Sequence, residues 1–239
     1  KELIAKITIS YDRKNLESTN LKLIKSFVDS FAIVDEKFID NKYFAKFDVD
    51  FNKKQVLKYL ETKNIFPSIP KEKKLFIMPF LIDIEKNQIL LFSENPFYLY
   101  WNEKNEKYYL LKYVLPNEDL EDINILKKNI SNIEDYNFSE IISKYDLKDY
   151  IIIIFFKSKT KLKTLSKINL NNNLIILNKI FSEVNFNEKQ SLENVIKILK
   201  TNFENQWKKI NQINTSIKLS FTLSLNSKNY ELIKKFEKE

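Results

Sequence analysis

Glu118, Asp119, Glu121 and Asp122 are the densest group of side chains in this 239-residue chain that could act on a substrate. Carboxylates at this spacing could hold magnesium or calcium or share acid and base roles, which makes Asp119 and Asp122 the pair of a divalent-metal, carboxylate-dependent enzyme. The competing reading is a helix start after Pro116–Asn117, where backbone dipoles favour negative charge; the missing calcium-loop pattern, including its Gly, supports it. A second group, Phe97, Tyr98, Tyr100 and Trp101 behind Asn95–Pro96, could stack a sugar or a base. Helical spacing instead puts Phe97, Tyr100 and Trp101 on one packing face and leaves Tyr98 partly exposed. Asn95, Tyr98, Trp101, Asp119 and Asp122 are thus the candidate binding residues, with no catalytic residue, metal ligand or cofactor assigned.

The residues that are missing narrow the chemistry further. The chain has no Gly, no His and no Cys, and Arg13 is its single arginine. Without His, no side chain titrates near pH 7 unperturbed, so Ser-His and Cys-His nucleophiles are excluded. Without His or Cys the common zinc sites cannot form, and neither can disulfides. Glycine-rich phosphate loops and the dinucleotide fingerprint need backbone geometry that Gly supplies cheaply, which argues against nucleotide binding by either motif. Lys, Asn, Ile, Phe and Tyr are abundant while Ala is limited to Ala5, Ala32 and Ala45, a skew expected of an AT-rich genome. Left-handed backbone positions then fall to Asn and Asp, as at Asn171-Asn172-Asn173.

A net charge of +8 invites a nucleic-acid or anionic-membrane reading. The lysines are interleaved with 32 acidic residues, and one Arg is poor equipment for reading phosphates or bases, so no nucleic-acid partner is expected. The longest apolar run, Tyr150 to Phe156, is far short of the roughly 20 residues that cross a bilayer. No membrane span is expected, and peripheral membrane association is left open. The sequence begins at Lys1 with no signal-type segment, as in a processed or trimmed chain.

Several elements must position these residues. Ile4–Tyr11 reads as a strand, and Leu21, Ile24, Phe27, Val28 and Phe31 as a helix. Tyr43 to Phe51 alternates as a half-buried strand, and Val56, Leu57 and Leu60 share a helix face. Pro67 and Pro70 interrupt every period, which divides an N-terminal α+β part (1–66) and a linker (67–74) from a central domain (75–213). There, Leu75–Ile84 and Tyr150–Phe156 are apolar at nearly every position, as strands buried on both faces must be. Pro79 makes the first of them an edge strand, a bulged strand, or one whose Pro79 nitrogen faces a gap. Short strands at Ile89–Phe92 and Tyr108–Leu115, helices at Pro96–Glu103 and Ser139–Tyr145, and a hairpin of Lys161–Leu170 with Asn173–Phe181 complete that region. One apolar stripe from Leu192 through Phe203 and Trp207 to Ile213 marks a long helix, with Trp207 in the core. Ile217 to Leu225 then alternates as a strand and 226–239 opens another helix, so 214–239 reads as an incomplete βα unit. The expected fold is α/β, with α+β as the alternative: a mixed sheet flanked by helices on both faces.

The stretch from Leu75 to Asp122 resembles the proteobacterial family known as domain of unknown function 2066. The likeness is one of order: the apolar strand Leu75–Asp83 with its Pro79, then Leu91-Phe92, Asn95-Pro96-Phe97 and Trp101. Tyr109–Pro116 and the acidic turn Glu118–Asp122 follow, and downstream features extend the likeness over roughly Tyr43 to Trp207. Where such proteins carry glycines, this chain has Phe156, Lys157 and Asn. The resemblance implies an exported, periplasmic or envelope protein with an α/β sandwich loosely similar to the N-terminal domain of the TolB envelope protein, and no known activity. Together the residues favour a non-enzymatic protein-binding or scaffolding domain with a protein partner or assembly. The alternatives are the Asp119/Asp122 metal enzyme and, behind it, a Lys-rich nucleic-acid binder.

Overall fold

A computed structural model describes residues 2–16 and 18–213. Its centre is a six-stranded mixed sheet with helices on both faces. The strands are β3 (Lys73–Asp83), β4 (Gln88–Leu90), β5 (Leu111–Val114), β6 (Tyr150–Ser158), β7 (Lys161–Leu170) and β8 (Asn173–Phe181). β3 and β6 lie parallel side by side, and β6, β7 and β8 continue antiparallel. In β6 the five residues Ile151 to Phe155 are all sealed from solvent, because successive side chains enter opposite layers. Ile151, Ile153 and Phe155 meet Phe97 of α5 (Pro96–Tyr100) and Leu192, Leu199 and Phe203 of α8 (Lys189–Ile210). Ile152 and Ile154 meet Leu126 of α6 (Leu120–Lys128) and Ile141 of α7 (Ser139–Ser143). Each such burial is worth about 1.5–3 kcal/mol against the ordering entropy of the chain.

Pro79 sits in a central strand, and the gap is what admits it. On the side of β3 away from β6, β5 pairs with Lys73–Phe76 and β4 with Leu81–Asp83, so Ile77–Phe80 has no strand there. The Asn95 amide fills the space, donating from Nδ2 to the Pro79 carbonyl at 3.0 Å. A residue's N–H and C=O point to the same side of an extended strand, so the Pro79 nitrogen faces this gap and breaks no ladder bond.

The N-terminal elements depart from the sequence expectation at two places. Ile4–Tyr11 is not a strand: α1 (Glu2–Ile7) and α2 (Ser10–Lys14) occupy it, and Ala5, Ile7 and Thr8 are buried by helical spacing. The expected helix through Phe31 stops at α3 (Leu21–Ser26), where Asn20 accepts from the Leu23 amide as the N-cap. From Val28 the chain turns extended, because β1 (Val28–Ile39) pairs with β2 (Lys42–Phe51) in a two-stranded antiparallel ribbon. Asp40 and Asn41, at φ 50° and 57°, form its tight turn. α4 (Lys53–Thr62) follows, N-capped by Asn52, and Val56, Leu60, Ile7 and Ile65 form a small core at the ribbon's root with Phe27 and Phe51 against it.

Left-handed backbone is carried as the missing glycines require. Among the described residues ten have positive φ; seven are Asn or Asp, Asn171 and Asn172 among them, and the others are Phe92, Lys159 and Glu183. The expected strand at Ile217–Leu225 and the helix after it lie outside the described residues.

Candidate functional site

The acidic group stands at the start of α6, as its sequence suggests. Asp119 is the N-cap, accepting from the Glu121 amide at 2.8 Å. The centre of the group is occupied by Lys144, just after α7, whose Nζ donates to Asp119 at 3.0 Å, Glu121 at 3.1 Å and Asp122 at 2.7 Å. Hydrogen bonds to Asp122 and Asp119 raise the Lys144 ammonium well above its ordinary pKa, and the Lys144 bond holds the Asp119 carboxyl below its own. Asp122 is fully buried, and its Oδ2 has no partner. An ammonium thus supplies the cation here. Among the described residues, no group of three or more Asp and Glu is placed to hold a metal ion.

The second group is built into the core. Asn95 is fully buried; besides bonding Pro79 it accepts from the Phe97 amide at 3.0 Å and so starts α5. Phe97 stacks on Phe155 with ring centres 3.9 Å apart. Trp101 is fully buried against Tyr113 and Phe203. The Tyr98 hydroxyl donates to the Pro116 carbonyl at 2.7 Å, tying α5 to the segment that leads into the acidic turn. Tyr98 therefore anchors α5 to the segment leading into the acidic turn, while Asn95 and Trp101 are sealed in the core and offer no surface to a ligand.

A row of buried charge along α8 was not marked by the sequence reading. Lys200, Glu204 and Lys208 recur every four residues and are each about 1% exposed. Lys200 donates to the carbonyls of Trp101 and of Lys104, the latter at 2.9 Å, and to the Asn105 side chain at 2.6 Å. It closes the open end of the α5 turn; burial pulls its pKa down to about 8. Glu204 accepts from the Leu111 amide at 2.7 Å, and burial raises its carboxyl. Lys208 donates to the Ala5 carbonyl at 2.8 Å and binds α1 to the sheet domain. The available signal was their spacing: positions 200, 204 and 208 fall beside Leu199, Phe203 and Trp207 on the apolar stripe, where a charge needs a partner.

Among the described residues, the β1–β2 ribbon is left with exposed apolar side chains along its length. Its register places Phe31 opposite Val49, Ile33 opposite Phe47 and Phe38 opposite Tyr43 on one face. Phe38 is 71% exposed, Phe31 67% and Tyr43 58%, so the half-buried strand expected at Tyr43–Phe51 is here an exposed one. The other face carries Asp35, Lys37, Lys42, Lys46, Asp48 and Asp50 together with the exposed Ile39 and Phe44. Among the described residues neither outer edge of the ribbon pairs with another strand. Periodicity revealed an apolar face in β2 but not what covers it.

No helix among the described residues is long and apolar enough to cross a membrane. No family model matches the chain, and no curated protein sequence does. A solved structure described as the crystal structure of an uncharacterized protein aligns with 58% of this chain and 92% of its own, at 8% identity and a TM-score of 0.21. A similarity that low carries no argument about fold or function.

Proposed function

We propose that this chain is a non-enzymatic protein-binding or scaffolding domain of the cell envelope, and that the polypeptide it engages docks on the β1–β2 ribbon. The observation that carries this reading is the ribbon's apolar face, which among the described residues is uncovered and lies between two unpaired strand edges. An isolated two-stranded hairpin is at best marginally stable in water, and a contiguous apolar patch of this kind marks an interaction surface. A partner that satisfies both the side chains and the unpaired N–H and C=O groups is another polypeptide strand. The ribbon carries six acids, Asp29, Asp35, Glu36, Asp40, Asp48 and Asp50, against the three lysines Lys37, Lys42 and Lys46, and this negative balance disfavours an anionic bilayer and nucleic acid alike. The metal-enzyme reading finds no support in a cluster whose cation is Lys144. The envelope location rests on the family resemblance alone.

The test is a photo-reactive phenylalanine analogue placed at Phe38 and, separately, at Phe47 of the full chain in its native cells. The expected result is a covalent adduct with a second polypeptide, another protein or another copy, that disappears when Phe31→Asp is added. Adducts confined to the same chain, adducts with lipid, or no adduct would overturn the reading. Phe31→Asp is exposed and should shift the melting temperature little, which separates lost docking from lost folding.

A further inference from the structure

The single arginine of the chain lines a large cleft, and among the described residues no carboxylate forms an ion pair with it. The cleft, about 870 Å³, lies between the N-terminal helices, the ribbon's root and the loop 105–108. Leu16, Ile24, Phe27, Phe51 and Tyr59 give it apolar walls. Its size lies within the ~300–1,000 Å³ typical of ligand pockets, and apolar walls with a few placed polar groups are the usual composition of such a site.

Two cations line the cleft, Lys107 and Arg13. The Arg13 guanidinium lies 4.9 Å from the centre of the Tyr108 ring, and its Nε is sealed from solvent with no hydrogen-bond partner. The acids on the rim are engaged elsewhere: Glu106 with Lys197 at 2.8 Å and Glu2 with Lys6 at 3.9 Å. The nearby Lys208 is engaged too, by the Ala5 carbonyl at 2.8 Å and Glu204 at 3.6 Å. A guanidinium held beside apolar walls fits an anion that accepts two parallel hydrogen bonds and carries a hydrocarbon tail. Arg13 and Lys107 against Glu2 and Glu106 leave the lining with no net charge, which suits a monoanion better than a phosphate dianion.

We propose that this cleft binds a long-chain carboxylate, with the headgroup on Arg13 and the tail against Ile24, Phe27 and Phe51. The site is separate from the ribbon's exposed face and stands whether or not a polypeptide docks there. The test is calorimetric titration of the full chain with dodecanoate below its micellar concentration, beside dodecanol and dodecyltrimethylammonium. Saturable one-to-one binding of dodecanoate is expected, with little binding of the cationic amphiphile. Arg13→Met should weaken dodecanoate by about tenfold to a hundredfold and leave dodecanol unchanged, because a charge-assisted hydrogen bond is lost. Ile24→Trp, which fills the tail region, should abolish binding of both. Absence of saturable binding, equal affinity for dodecanol, or full affinity in either variant would each overturn the proposal. Ile24→Trp keeps it testable should Arg13→Met fold poorly.

Discussion

The Asp122 side chain is the residue whose fate depends most on one neighbour. Replacing Lys144 by Met leaves it buried without a counter-charge, at a cost of about 3 kcal/mol near pH 7. Urea midpoints of the variant and the parent should converge as pH falls through the lowered range of the Asp119 carboxyl, where the parent loses its ion pairs to Lys144. In the parent, Asp119 is lowered and Lys144 raised, so their contribution is complete at neutral pH. It is lost as pH falls through the lowered carboxyl pKa and, on the alkaline side, only above the ordinary lysine range. Lys200 has the opposite sense to Lys144. Its folded pKa of about 8 lies below the unfolded value of 10.5, so the unfolded chain binds more protons between those limits. Stability measured against Lys200→Met should therefore rise with pH across that window. Backbone strain gives the third residue-scale prediction: Lys159, at φ 47° in the tight turn between β6 and β7, should gain about 1 kcal/mol as Gly, read as a higher melting temperature.

Among the elements, β3 is the one whose proline is supported by its surroundings. Pro79→Ala would place a buried N–H in the gap between β4 and β5 with no strand to accept it, so the change should cost about 1–2 kcal/mol in denaturant unfolding. Sequence reasoning reached the gap as one of three options, because a proline states what its nitrogen cannot do. It could not choose among them, because strand order arises from contacts distant in the chain. β3, β6, β7, β8 and α8 were legible for a different reason: their apolar periods are long, and the Asn171–Asn172 turn has few conformational alternatives without Gly. The stretch from Ile4 to Phe31 misled because β-branched content and helical spacing point opposite ways there. Burial of Ala5, Ile7 and Thr8 decided the first half, and pairing with β2 decided the second. Of the candidate site, the acidic helix start was readable locally; Lys144, 22 residues beyond Asp122, was not.

Across the whole molecule, stability is distributed unevenly. β6 and the facing side of α8 are closed on both layers, whereas the ribbon is held by its own ladder and by its root at Phe27 and Phe51. Amide hydrogen exchange should thus be slowest in Ile151–Phe155 and faster by orders of magnitude in β1 and β2, with partner binding visible as protection of the ribbon alone. The sheet also has two dissimilar margins. On one side β5 and β4 are four and three residues long and are separated by the Asn95 plug; on the other, β8 runs for nine residues in unbroken register with β7 and exposes Leu174, Ile176 and Ile180. A sheet with one ragged border cannot pass strand pairing through itself from molecule to molecule. Strand pairing begun at β8 therefore meets no matching border of the same sheet on which to continue, because the Pro79 notch interrupts it.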